Sequence, residues 1–120
     1  MQTQHKIVIA NSQQMSEISD CSIHLMVTSP PYPMVQMWDK QFAQIDPKIA
    51  QLWQKLEEKG NQETINQIFD AMHENLAKVW LETYRVLIDG GIAAINIGDA
   101  TRTINKKFSL FPNHSRIIQH

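Results

Sequence analysis

The chain has 120 residues, of which 42% are hydrophobic and 19% charged, a composition typical of one soluble globular domain or part of one. No apolar run approaches the roughly 20 residues that cross a bilayer, and the N-terminus lacks the apolar centre of a signal peptide, so we expect a cytoplasmic protein without a membrane partner. The formal net charge of −1 excludes the basic excess typical of proteins that hold DNA mainly through phosphates.

Two apolar runs near the N-terminus predict a βαβ unit. Lys6–Ala10 is predicted as a strand, Asn11 as a turn or helix cap, and residues 13–18 as a short helix. Ser22–Val27 is predicted as the second strand, and its few polar positions indicate burial on both faces, as in a parallel sheet. The segment after it therefore lies at the carboxyl end of a strand, where ligands bind in open α/β sheets.

Two helices and a third strand are predicted further along the chain. Asp46 and Gly60 bound the first helix, and the apolar stripe of the second continues to a stop at Asp89-Gly90-Gly91. Ile92–Gly98 is predicted as the third strand, and a polar stretch then leads to the start of a helix at residues 112–118. The fold predicted is α/β, with a partial, doubly wound and mostly parallel sheet flanked by helices.

The sequence Ser29-Pro30-Pro31-Tyr32 forms a stiff corner directly after the second predicted strand. Because prolines lack a backbone N–H and have a fixed φ, the corner presents the Ser29 hydroxyl and the Pro30 carbonyl as acceptors with few local donors. Tyr32 adds a flat ring. These groups suit a planar base with an exocyclic amino group, swung out of a duplex and stacked on the ring, with a methyl donor alongside. A corner that merely turns the chain is the alternative.

Thr28–Tyr32 resembles the (Asp/Asn/Ser)-Pro-Pro-(Tyr/Phe) motif of the DNA amino-methyltransferases, which methylate cytosine N4 or adenine N6 with S-adenosylmethionine. The strand, turn and strand before the motif and the stretch Leu76–Arg102 after it resemble the same enzymes. The resemblance implies a Rossmann-like methyltransferase domain that binds S-adenosylmethionine and double-stranded DNA with a flipped base. Serine in the first motif position favours cytosine, with adenine left open. The catalytic residues that the resemblance implies are Ser29, Pro30, Pro31 and Tyr32.

A motif this close to the N-terminus resembles the β-class order, in which a target-recognition region and a glycine-rich cofactor loop come later. Residues 1–120 contain neither. The resemblance therefore implies the N-terminal part of one methyltransferase domain, completed by a missing C-terminal half or a partner chain and inactive alone, in a restriction–modification system. The alternative is a non-catalytic, decayed or accessory subunit that acts through a partner.

Three further polar residues are candidates for the site. Asn11 stands where the family commonly has an aspartate near the cofactor, with a simple turn or cap as the alternative. Asp99 is a candidate to line the substrate site, with a solvated turn residue as the alternative. Asp39 is a candidate to contact a target base or to order its loop, with packing as the alternative. Cys21 is predicted to be a buried thiol, and no histidine spacing suggests a metal site.

Overall fold

The computed structural model describes all 120 residues and has a mixed α/β fold. None of its helices combines the length and the apolar character that a membrane span requires. A short 3-10 helix, Gln36–Trp38, precedes the first α-helix. The remaining elements, in chain order, are β1 (Ile23–Thr28), α1 (Asp39–Ile45), α2 (Pro47–Lys59), α3 (Gln62–Val86), β2 (Leu87–Ile95), β3 (Ala100–Ile104), β4 (Lys107–Phe111) and α4 (Asn113–Ile118).

The strands β1 and β2 pair in parallel, as predicted, and helices α1, α2 and α3 lie in the connection between them. Leu25 lies opposite Ile92, and Thr28 lies opposite Ile95. The pairing continues past the strands, because the Asn96 N–H donates to the Thr28 carbonyl at 2.9 Å. The carboxyl ends of both strands therefore meet at one edge of the sheet.

The predicted helix stop at residues 89–91 is wrong in detail. α3 already ends at Val86, and β2 follows at once and runs through this segment. Gly90 has a φ of 77°, and the register of the sheet shifts between Ile23 and Leu25. Glycine adopts positive φ without strain, so the two glycines accommodate an irregularity inside a strand.

The predicted strand at Lys6–Ala10 and the predicted helix at residues 13–18 are both wrong. The first segment makes no backbone hydrogen bond to a neighbouring strand, and Ile9 is 98% exposed. Two turns replace the helix. A strand needs an adjacent strand to satisfy its N–H and C=O groups, and β1 pairs with β2 alone.

The predicted burial of the second strand on both faces is also wrong. Leu25 and Val27 on β1 are 57% and 71% exposed, and Ile92 on the same face of β2 is 62% exposed. Cys21, predicted to be buried, is exposed just before β1. A sheet of two strands leaves one face uncovered here, so apolar character did not predict burial.

The expectation of a mostly parallel sheet needs correction, because β3 and β4 form a separate antiparallel hairpin. Asn105 and Lys106 join the strands with φ values of 51° and 63°, the pair of positive angles that a two-residue type I′ turn requires. Ala100 pairs with Phe111 at the open end, and both are buried. The hairpin is thereby anchored in the core beside the end of β2.

The hydrophobic core lies mainly between α1, α2 and α3. The side chain of Asp46 accepts from the Lys48 N–H at 3.0 Å and caps α2, as predicted, and Asn61 caps α3 through the Thr64 N–H at 2.9 Å. Met34, which follows the corner after β1, is buried in the same core. The helical residues of this core include Phe42, Ile49, Leu56, Ile65, Ile68, Phe69, Met72 and Leu76.

Two charged residues near the end of α3 hold the N-terminal turns in place. The Arg85 guanidinium donates to the Met15 carbonyl at 2.9 Å, to the Ile18 carbonyl at 3.0 Å and to the Asp20 carboxylate. Glu82 accepts from the Met15 N–H at 2.6 Å and pairs with Arg85. The hydrogen bonds from Arg85 and Met15 lower the pKa of the Glu82 carboxyl to about 2.

We expect Glu82→Gln to lower the free energy of unfolding at pH 7, with the difference from the wild type closing as the pH falls. An unfolded glutamate titrates near 4.5, so the ionised form stabilises the fold fully above that pH. This contribution is lost as the pH falls from about 4.5 towards 2. Urea unfolding at pH 7 and pH 3 measures it, with Glu57→Gln as the exposed control. A difference that does not change with pH would contradict the prediction.

Candidate functional site

The corner directly follows β1. Ser29 is exposed, Pro30 is buried, and Pro31 and Tyr32 are half-buried. Neither the Ser29 hydroxyl nor the Pro30 carbonyl takes part in a hydrogen bond within the chain. The structure thus brings two free acceptors and an aromatic ring together at the carboxyl end of a strand, where the sequence predicted them.

The turn that follows Tyr32 is held by the core. The Tyr32 carbonyl accepts from the Val35 N–H at 3.2 Å, with Pro33 and Met34 as the central residues. Met34 has a φ of 64°, and a proline followed by a residue with positive φ is the combination of a type II turn. A methionine rarely adopts this conformation, but its buried N–H meets the Met72 sulfur at 3.4 Å. Packing against α3 therefore fixes the backbone next to the ring.

The Tyr32 ring lies against the chain that leaves β2. Its Cε2 atom is 3.5 Å from the point where a Cβ on Gly98 would stand, so a side chain at this position would touch the ring. The Tyr32 ring therefore lies close to the backbone at Gly98, just past the end of β2. One face of the site is formed by the residues that follow β2.

A fully buried amide connects the two sides of this site. The Asn113 Nδ2 donates to the Pro33 carbonyl at 3.0 Å and to the Gly98 carbonyl at 3.1 Å. Its Oδ1 lies 2.9 Å from His73 Nε2 on α3. Because both amide hydrogens serve carbonyls, Oδ1 is the acceptor and His73 Nε2 carries the hydrogen. Burial lowers the pKa of His73 to about 4, so the ring is neutral at pH 7.

Sequence reasoning missed both residues of this connection. His73 follows Met72 in the apolar stripe of α3, and a polar residue on a buried face was the available signal. Asn113 was predicted only as part of the start of a helix, which α4 confirms. Nothing local in the sequence indicates that its side chain reaches residues far away along the chain.

Asp99 lies at the surface, next to Gly98. Its Oδ1 accepts from the His114 N–H at 3.2 Å and from the His114 ring at 2.7 Å. These two hydrogen bonds lower the pKa of the Asp99 carboxyl, and the bond from the His114 ring has the larger effect. The residue thus holds the start of α4 beside the site, and its role in lining a substrate stays a prediction.

Asp39 and Asn11 are engaged elsewhere. The Asp39 carboxylate pairs with Arg102 of β3 at 2.7 Å, and the Arg102 guanidinium lies 4.8 Å from the centre of the Trp53 ring. Asp39 therefore links the segment after the corner to the hairpin. Asn11 Oδ1 accepts from the Gln13 N–H at 2.9 Å, which makes it a turn residue without a hydrogen bond to the corner.

The family comparison and the curated relatives agree on the family to which the chain is similar. The DNA methylase family (N6_N4_Mtase) matches residues 23–119. The chain is 52% identical over 122 residues to the type II methyltransferase M.MjaI of Methanocaldococcus jannaschii, covering 98% of this chain and 40% of the relative. It is 50% identical over 118 residues to the type II methyltransferase M.MthZI of Methanothermobacter thermautotrophicus, covering 98% of this chain and 32% of the relative. No solved structure gives a significant match. The chain therefore belongs to the DNA methylase family.

Proposed function

We propose that residues 1–120 form the N-terminal, base-holding part of a DNA methyltransferase that modifies an exocyclic amino group. The observation that carries this proposal is the pair of free acceptors at Ser29 and Pro30 beside the Tyr32 ring. Family membership supplies the reaction class, and the corner supplies a site with matching chemistry.

The residues of the corner each have one task in this proposal. The Ser29 hydroxyl and the Pro30 carbonyl accept the two hydrogens of the amino group, which localises the lone pair on its nitrogen. Tyr32 stacks on the base, and this contact returns about 1–3 kcal/mol against the few kcal/mol needed to extrude the base. Pro31 keeps the acceptors at a fixed distance from the ring, because its φ cannot change.

We propose cytosine N4 as the preferred target and adenine N6 as the second candidate. Both bases carry an amino group that suits two acceptors, so the acceptors alone do not separate them. The preference rests on serine as the first residue of the motif, which is more typical of the cytosine enzymes of the resembled family. A restriction–modification system is the setting that we infer.

S-adenosylmethionine is the methyl donor that we propose, and it would supply an electrophilic methyl group to the amino nitrogen. The contact at Asn11 that the resemblance implies stays a prediction. Both polar atoms of the exposed Asn11 side chain already bond to Gln13, and each keeps one further hydrogen-bonding position. Since the chain spans 40% and 32% of its two relatives, we propose that a C-terminal half or a partner chain holds the donor and most of the DNA.

A chimera tests the proposed function. This chain would replace the segment of M.MjaI that it matches, and the product would be incubated with DNA and S-adenosylmethionine. Mass spectrometry of the digested DNA then measures N4-methylcytosine and N6-methyladenine. We expect N4-methylcytosine from the chimera and no methylated base from the 120-residue chain alone. A folded chimera that binds DNA without methylating it would overturn the proposal in favour of a non-catalytic subunit.

We expect Tyr32→Ala to weaken binding of the chimera to DNA with an extruded base by about 1–3 kcal/mol, the usual contribution of stacking on one base. Tyr32→Phe keeps a flat ring and should bind like the wild type. Equilibrium titration with a duplex that carries a mismatched target base measures the change. Tyr84→Ala is the matched control, because Tyr84 is 84% exposed on α3. Equal effects of both alanine variants would contradict the stacking role.

A further inference from the structure

We infer that Asn113 is a positioning residue that sets the orientation of the Tyr32 ring, with His73 holding the Asn113 amide in place. Asn113 is fully buried at the start of α4, and His73 is buried on α3. Neither side chain hydrogen-bonds to the Ser29 hydroxyl or to the Pro30 carbonyl. Their effect on the site is therefore exerted through the backbone on the two sides of the ring.

The hydrogen bonds of Asn113 connect two groups that cannot bond to each other. The Pro33 carbonyl belongs to the residue after Tyr32, and the Gly98 carbonyl belongs to the residue against which the ring lies. Both carbonyls are acceptors, so neither can bond to the other, and the Asn113 Nδ2 group donates one hydrogen to each. This shared donor fixes the separation of the two backbone segments that lie next to the ring.

His73 restricts how the Asn113 amide can turn. Its Nε2 donates to Oδ1 at 2.9 Å, and a rotated amide would place two donors against each other. The His73 ring is itself held by an edge contact with Phe69 at 4.7 Å between ring centres. The His73 ring is neutral at pH 7, so it places no charge in the core. His73 on α3 therefore holds the Asn113 amide, and this amide holds the backbone on both sides of Tyr32.

The functional meaning of this arrangement rests on the proposed function, in which Tyr32 stacks on the extruded base. Stacking requires a ring at a defined angle and depth, so a residue that fixes the ring lowers the ordering that base binding would otherwise require. Positioning of the ring can, however, be measured in the absence of DNA. The positioning role of Asn113 and the stacking role of Tyr32 can thus fail independently.

Fluorine NMR of the chain labelled with 3-fluorotyrosine tests the inference. The chain contains two tyrosines, and the exposed Tyr84 serves as the internal reference, assigned by Tyr84→Phe. We expect Asn113→Ala to move the Tyr32 resonance at least halfway to that of Tyr84. His73→Phe, which keeps an aromatic ring without a donor, should do the same. His73→Gln places an amide donor near the position of Nε2 and should retain the wild-type resonance.

Asn75→Ala is the matched control for general destabilisation. Asn75 is also a buried amide: its Nδ2 donates to the Ala71 carbonyl of its own helix at 2.9 Å and to Asp46, outside that helix, at 2.8 Å, but it makes no hydrogen bond to the corner. We expect it to lower the unfolding temperature and leave the Tyr32 resonance unchanged. If Asn113→Ala does not fold, the comparison of His73→Phe with His73→Gln decides.

Two outcomes would overturn the inference: an unchanged Tyr32 resonance in folded Asn113→Ala, or equal shifts in the two His73 variants. Binding of the chimera to the mismatched duplex is measured separately with the same substitutions. A shifted resonance together with unchanged DNA binding would uphold the positioning role and count against the stacking role of Tyr32. A shifted resonance together with weaker DNA binding would support both the positioning role and the stacking role.

Discussion

Ser29→Ala in the chimera is expected to lower kcat for methyl transfer by about 10²–10³-fold, the usual effect of removing one preorganised polar group at a reacting centre. In the proposed reaction, the amino nitrogen becomes positively charged as it attacks the methyl group. The Ser29 hydroxyl oxygen would face this charge in the transition state more strongly than in the bound base, so kcat should fall more than KM rises. Ser29 is exposed and makes no hydrogen bond in the chain, so the fold should keep its stability.

Single-turnover kinetics and urea unfolding of the same variant separate these effects. Ser29→Asp retains an acceptor at this position and should be more active than the alanine variant. Ser16→Ala removes another exposed hydroxyl, far from the corner in sequence, and should leave kcat unchanged. A wild-type kcat for Ser29→Ala would show that the corner only turns the chain.

The corner and the two long helices could be predicted because their physics is local. Proline fixes φ and removes a donor wherever it stands, and the cap at Asp46 and the end at Gly60 depend on neighbouring residues alone. The parallel pairing of β1 and β2 follows from the order of the elements. Features with this origin appear in the structure where the sequence predicts them, except the helix stop at residues 89–91, which lies inside β2.

The predictions that failed depend on contacts with distant residues, which the local sequence does not indicate. Lys6–Ala10 has the composition of a strand, but the strand requires a neighbour with free hydrogen-bonding groups. The hairpin turn at Asn105 and Lys106 lacks the glycine that usually indicates such turns. Asn113 acts on Pro33 and Gly98 across the fold. The contacts that support the corner were therefore harder to predict than the corner itself.

Met72→Ala is expected to lower the free energy of unfolding by about 2–5 kcal/mol, because truncation of a fully buried methionine leaves a cavity. The same change removes the sulfur that faces the Met34 N–H, which lies in the strained turn beside Tyr32. The corner should therefore loosen before the chain unfolds globally. Urea unfolding measures the first effect, and hydrogen exchange of the Met34 amide measures the second.

Met72→Leu separates volume from the sulfur contact. Leucine keeps most of the buried volume, so the cost in unfolding free energy should stay below about 1.5 kcal/mol. The Met34 amide nevertheless loses its acceptor and should exchange faster than in the wild type, although the helix remains packed. Slow exchange in the leucine variant would mean that packing alone fixes the left-handed turn. Fast exchange with near-native stability would assign to the Met72 sulfur a specific part in holding the backbone next to the Tyr32 ring.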